Sequence, residues 1–122
     1  MKISLLVQGA PHSSTACEQA LNFARAVIRK NHTLFRVFFY KDAVSIANST
    51  YQLPSDEWNI QEAWLDFANE NNMELMVCIG AAQRRGISEA SLPTDGRSGF
   101  QIVGLGQFIE ATIESDRVVT FN

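Results

Sequence analysis

The sequence predicts an α/β protein: a three-layer α/β/α sandwich around a mostly parallel sheet of about five strands. Three observations carry that expectation. Short, near-continuous apolar runs rich in β-branched and aromatic residues alternate with longer stretches of helical periodicity, the pattern of strands buried on both faces and joined by crossover helices. No internal repeat, low-complexity tract or linker interrupts the alternation. The 122 residues, 46% apolar and 19% charged, have the size and balance of one globular domain spanning residues 1–122.

Taken in order, residues 2–8 form an apolar run ending at Gly9 and read as a buried strand. Gly9-Ala10-Pro11-His12-Ser13-Ser14 follows as a turn-like loop. Thr15 precedes Glu18 by three residues, the spacing of a capping box. Cys17, Ala20, Leu21, Ala24, Val27 and Ile28 then share one stripe of an amphipathic helix that ends at Asn31-His32. Residues 33–40 (TLFRVFFY) read as the second strand. A loop over 41–56 holds a short helix around residues 44–47. Ser55 and Asp56 cap a helix running to about Asn71, with Ile60, Trp64 and Phe67 on its inner face. Residues 74–79 (ELMVCI) read as the third strand, and 80–98 as a mixture of small residues, two arginines and a Pro/Asp/Gly/Ser loop. Phe100–Val103 reads as the fourth strand. A helix over 105–114 turns Leu105, Phe108, Ile109 and Thr112 or Ile113 inward, and 116–121 closes as the last strand.

Several function classes are excluded early. Ten basic against thirteen acidic residues give a net charge of −3, against a general nucleic-acid binder with a basic face. The N-terminal apolar stretch is too short for a signal peptide, and no run approaches the ~18 apolar residues of a membrane span. These features predict a cytoplasmic protein. No C-x-x-C or Cys/His cluster is present, so no structural zinc site is expected, and His12 and His32 stand alone. Cys17 and Cys78 lie far apart, and no disulfide is expected in a reducing compartment.

In an open α/β sheet the working site lies outside the carboxyl ends of the strands, which points to the loops after residues 8, 40, 79 and 103. The two cysteines differ by this rule. Cys17 falls on the apolar stripe of its helix and reads as core. Cys78 ends the third strand and is followed by Ile79-Gly80-Ala81-Ala82-Gln83-Arg84-Arg85-Gly86. Small residues let backbone approach a sulfur closely, and Arg84 and Arg85 are candidates to stabilise its anion. Three chemistries compete for this cysteine. Cys78 and Arg84 fit the C-x5-R spacing of phosphoester or arsenate chemistry, but Arg85 replaces the usual hydroxyl residue and the loop lacks glycine density. A flavodoxin-like module would bind phosphate through the 9–15 loop, which has only one Gly, followed by a Pro. Sulfur transfer, with the thiolate carrying a terminal sulfur as a persulfide, needs an exposed reactive cysteine and a protein docking surface.

The segment Cys78 to Gly86 resembles the cysteine segment of the DsrE/TusD family of sulfur-relay proteins. So do Val37-Phe38-Phe39-Tyr40-Lys41-Asp42-Ala43-Val44, Ser55-Asp56-Glu57, Gly104-Leu105-Gly106 with Glu110-Ala111, and Ser115-Asp116-Arg117-Val118-Val119. The resemblance runs nearly the whole chain in order, and Ala47-Asn48 with Ser55-Asp56-Glu57-Trp58 is most similar to the TusD branch, which serves tRNA 2-thiouridine synthesis. It implies a DsrE-like fold and a sulfurtransferase subunit without metal or organic cofactor. Cys78 would accept sulfur from a small donor protein and pass it to an acceptor protein in wobble-uridine thiolation. Two smaller homologous subunits would complete a heterohexamer, without direct nucleic-acid contact. The resemblance leaves two other readings: a DsrE-type subunit of bacterial sulfur oxidation, or a non-catalytic structural subunit. Segment 87–99 is shorter than in relatives, which bears on partner contacts.

The remaining candidates have plainer readings. His12 borders the presumed site as a surface loop residue with an option on proton transfer. His32 sits at a helix end, where a cation suits the dipole. Ser13 and Ser14 read as turn or capping residues, Trp64 as core, and Trp58 as a partner anchor. Phe38-Phe39-Tyr40 reads as sheet core, and Gly104-Leu105-Gly106 as a tight strand-to-helix turn rather than a dinucleotide fingerprint.

Overall fold

The apolar runs pair as five parallel strands. The computed structural model describes residues 1–49, 56–93 and 99–122. Within them lie β1 (Lys2–Val7), α1 (Ala16–Arg29), β2 (Thr33–Phe39), α2 (Ile60–Glu70), β3 (Leu75–Cys78), α3 (Ile79–Arg84), β4 (Phe100–Val103), α4 (Gly106–Glu114) and β5 (Arg117–Phe121). Two 3-10 segments, Lys41–Ala47 and Glu89–Ser91, complete the set. The sheet order is β4-β3-β2-β1-β5, and every pairing is parallel. The chain steps outward from β1 to β4 and then returns beneath the sheet to place β5 beside β1. With right-handed crossovers, that reversal puts α1, α2 and α3 on one face and α4 on the other.

Alternate residues along each strand serve opposite faces. On β2, Phe39 packs edge-on against Trp64 of α2 at 5.3 Å, while its neighbour Phe38 meets Phe108 of α4 at 5.5 Å. The first face is densely filled. Leu5, Val7, Val37, Leu75 and Val77 are wholly buried beneath α1 and α2. The indole N–H of Trp64 donates to the Cys17 carbonyl oxygen at 3.0 Å, so the two helices are tied together by a satisfied buried donor.

Helices α1, α2 and α3 end alike. Asn31, Asn72 and Gly86 adopt left-handed backbone (φ 64°, 52° and 71°). Each is followed by an amide that reaches back to a carbonyl in the last turn: His32 to Val27, Met73 to Ala68 and Ile87 to Ala82. This is the Schellman closure, for which Gly and Asn are suited because they accept positive φ at low cost. After α1 and α2 it delivers the chain straight into β2 and β3.

The structure corrects several expectations. Thr15 occupies the N-cap of α1 but makes no capping bond. The Ser14 hydroxyl accepts from the Ala16 amide at 3.1 Å instead. Helix α2 starts at Ile60 with Asn59 as its cap, Asn59 Oδ1 accepting from the Glu62 amide at 3.1 Å. Asp56 therefore lies outside the helix, and the expected Ser55 cap falls outside the described residues. Ile60, Trp64 and Phe67 face inward as expected, whereas Ile28 is half exposed at the edge of the α1 stripe.

The largest correction concerns α4. Ala111 is its buried residue and Phe108 packs against the core, whereas Leu105, Ile109 and Ile113 are exposed, the last at 75%. Its orientation is fixed from β2. Arg36 donates to the Gln107 carbonyl at 2.8 Å and to Glu110 at 2.9 Å, holding the Gln107–Glu110 side of α4 against the sheet. Of the stripe expected to face inward, Phe108 does so, whereas Leu105, Ile109, Thr112 and Ile113 face away from the core.

Candidate functional site

Because all strands are parallel, the exits of β1, β2, β3 and β4 share one rim, as the carboxyl-end rule requires. Cys78 is the last residue of β3 and also the N-cap residue of α3, with extended backbone (φ −65°, ψ 123°). It is paired in register with Val103, the last residue of β4. Helix α3 was not legible in the sequence, where 80–98 read as a mixture of small residues, two arginines and a loop; the strand expected over 74–79 ends at Cys78, and Ile79 opens the helix. Ala81 and Ala82 favour helix and are buried in it, while Gly80 obscures the start.

The sequence argument asks for an exposed thiol, and this is corrected: Cys78 is 3% exposed. The surface above it is nevertheless thin. Ile79 is 44% exposed and Gly80 half-buried. A Cβ added at Gly104 or Gly106, just beyond the register partner of Cys78, would meet nothing within 4 Å. Beside Cys78 lies a mainly apolar notch of about 200 Å³, lined by Ile79, Gln83, Ile87, Ser88, Glu89 and Ile102.

The two arginines part company. Arg85 donates to the Ala81 carbonyl at 2.9 Å and to Asp42 at 2.8 Å, clasping α3 to the Lys41–Ala47 segment. Its fork is thereby occupied. Arg84 folds back along α3, its Nη1 3.8 Å from the position of a Cβ on Gly80 in the first turn. Asp42 was missed as a site-forming residue. Its signal was position, since it directly follows β2 at the same rim.

The other exits are closed or differently built. Cys17 is wholly buried, its thiol donating to the Gly9 carbonyl at 3.5 Å, and burial pushes its pKa up from 9.0 to about 12. Gly9 itself is crowded: an added Cβ would lie 2.5 Å from Ser14 Oγ, 2.7 Å from Ala16 Cβ and 2.9 Å from the Asn122 carbonyl carbon. The one glycine of the 9–15 loop is thus packed against the protein's own atoms, which weakens the flavodoxin-like reading. The C-x5-R reading also weakens, because the residues between Cys78 and Arg84 form α3 rather than a loop wrapped round an anion. His12, Ser13, Ser14 and Trp58 line a separate depression after β1. His32 lies at the opposite end of the sheet, its Nδ1 3.2 Å from the N-terminal amine. Both cysteines are free. Among the described residues, no group of three or more His, Cys, Asp or Glu could hold a metal, and no helix is long and apolar enough to cross a membrane.

A parallel five-stranded sheet flanked by helices defines the class, an α/β protein, with its candidate cysteine at a strand-to-helix junction on the carboxyl rim. Its family follows from comparison with known proteins. The DsrE/DsrF-like family matches residues 1–121, and the chain belongs to that family. The sulfurtransferase TusD of Cronobacter sakazakii is 37% identical over 99% of this chain and 100% of its own length. A DsrE-named relative from Allochromatium vinosum is 38% identical over 99% of this chain and 98% of its own length. Among solved structures, the ychN protein of E. coli superposes with a TM-score of 0.81 at 31% identity, covering 99% of each chain.

Proposed function

We propose that the protein is a sulfurtransferase that carries sulfur as a persulfide on Cys78, in the relay that leads to tRNA wobble-uridine 2-thiolation. The observation that carries this reading is the position of Cys78. It ends an interior parallel strand on the carboxyl rim, under a thin cover, in a chain that aligns end to end with relatives named as sulfurtransferases. Cys17 is walled into the core and unsuited to the role.

The chemistry needs only thiols. The Cys78 thiolate attacks the terminal sulfur of a donor persulfide. A new sulfur–sulfur bond forms at Cys78, the donor's bond breaks, and the donor leaves as its thiolate. An acceptor thiolate then attacks the terminal sulfur on Cys78, and Cys78 leaves as thiolate. The two steps balance without net oxidation and without metal or cofactor. Arg84 lies over the first turn of α3 and, in this reading, its charge attracts the anionic donor and acceptor. Arg85 holds α3 in place through Asp42. Since Cys78 is 3% exposed, transfer in this reading proceeds through opening of the 78–80 junction, which small thiol reagents reach in the isolated chain and protein partners favour. In this reading the chain works in the cytoplasm with two smaller homologous subunits as a heterohexamer, and leaves tRNA to a downstream protein.

The burial of Cys78 favours one second reading, a non-catalytic subunit whose cysteine stays inert. Incubation with glutathione persulfide followed by alkylation and peptide mass spectrometry separates the two. A gain of one sulfur on Cys78 and none on Cys17 is expected. Absence of any gain on Cys78, alone and with its partner subunits present, would leave the structural reading.

A further inference from the structure

An open depression of about 490 Å³ lies at the exit of β1, lined by the 11–15 loop, Glu18 of α1, and Glu57, Trp58 and Ile60 at the approach to α2. The sulfur chemistry makes no use of it. Its lining has a definite chemical character. Trp58 is 52% exposed and has no ring partner among the described residues. Glu18 and Glu57 are exposed and form no ion pair among the described residues. Among the described residues, no lysine or arginine lines the depression. An exposed indole face beside two carboxylates is the surface that a guanidinium fits. It stacks on the aromatic ring by cation–π attraction and donates its fork of N–H groups to carboxylate oxygens.

Position adds a second argument. The depression and Cys78 stand on the same carboxyl rim, separated by β2, so their strands are roughly 10 Å apart at sheet spacing. The Lys41–Ala47 segment follows β2 and packs against α2, β3 and α3. At the β3 end Arg84 is offset by Glu89 and Arg85 is paired with Asp42, so the unpaired negative charge of the rim lies at the β1 exit, where it would orient a basic polypeptide. The net charge of −3 favours the approach of a basic partner.

We infer that the depression receives an arginine side chain of the polypeptide that exchanges sulfur with Cys78. The inference rests on the sulfur-carrier reading for the identity of that polypeptide, but the binding itself is separable from it. Trp58 provides the readout, since Trp64, the other tryptophan, is wholly buried and contributes a constant background.

The experiment titrates the intact protein with acetyl-Gly-Arg-Gly-amide while following tryptophan fluorescence, with the citrulline peptide and spermidine as controls. A saturable change in the millimolar range is expected for the arginine peptide and none for citrulline. Binding weakens with added salt and falls at least fivefold in the Glu18→Gln/Glu57→Gln variant. No saturation, equal binding of citrulline, or spermidine binding as tightly as the arginine peptide would each overturn the inference. Loading of Cys78 by glutathione persulfide is measured in the same variant and is expected to match the unsubstituted protein. Failed peptide binding with normal loading would sink the arginine site and leave the sulfur carrier standing. Normal peptide binding with no loading of the unsubstituted protein would sink the sulfur carrier and detach the site from sulfur exchange.

Discussion

The exits of β1 and β3 are built from the same parts and have opposite characters. Each ends a buried parallel strand at the same rim, and each has a glycine and a cysteine close by. At β1 the glycine is enclosed on three sides and the cysteine is sealed in a helix stripe, its pKa pushed up to about 12. At β3 the glycine has room, the cysteine sits at the junction itself, and a short helix begins directly after it. Burial alone does not separate the two thiols, since both are buried. What separates them is whether the surrounding backbone could yield without dismantling the core.

The sharpest test of that contrast is chemical. Iodoacetamide at pH 8 should label Cys78 in the native protein and leave Cys17 unlabelled until denaturant is added, read by peptide mass spectrometry. Labelling of both at equal rates would erase the distinction. Next, Gly9→Ala should cost about 2–3 kcal/mol in urea unfolding, the upper range for overpacking, because one of the three clashes is with backbone. Gly80→Ala should cost far less, its nearest neighbour being the movable end of Arg84 at 3.8 Å.

The Cys17 thiol also predicts a pH dependence. Its folded pKa is raised, so its stabilising contribution is complete below the unfolded value of 9.0 and is lost as pH climbs toward about 12. Over that window the unfolded chain releases a proton that the folded chain keeps. Stability should therefore fall by about 1.4 kcal/mol per pH unit more steeply than in Cys17→Ala. Parallel slopes in the two proteins would contradict the burial argument. The smallest effect is expected from Arg84→Ala: a two- to fivefold slower loading of Cys78 by glutathione persulfide with an unchanged thermal midpoint. Arg85→Ala should instead lower the midpoint slightly, since it removes the clasp to Asp42.

These contrasts also mark what the sequence could tell. Strand runs such as TLFRVFF and LMVC were legible because burial on both faces leaves them almost uninterrupted. The position of Cys78 at a strand exit followed from the same reading. The short helix after it did not, since six residues give too little periodicity to register. Helix α4 misled for a different reason. Its Leu105, Ile109 and Ile113 stripe is a genuine helical face, but orientation was decided by Arg36, a charged residue on β2 whose contacts lie some seventy residues away in sequence. The division of labour between Arg84 and Arg85 was likewise invisible, because adjacent helical positions point about 100° apart and only the location of Asp42 decides which one is occupied.

The pairing of β5 with β1 has a mechanical consequence. The first and last strands lie side by side and run the same way, from Ile3 beside Arg117 to Val7 beside Phe121. A force pulling the two chain ends apart would act along those strands in opposite directions. All the hydrogen bonds between them would bear the load at once, rather than opening one after another like a zipper. The protein should therefore resist stretching from its ends far better than stretching applied across β4, an edge strand held on one side only.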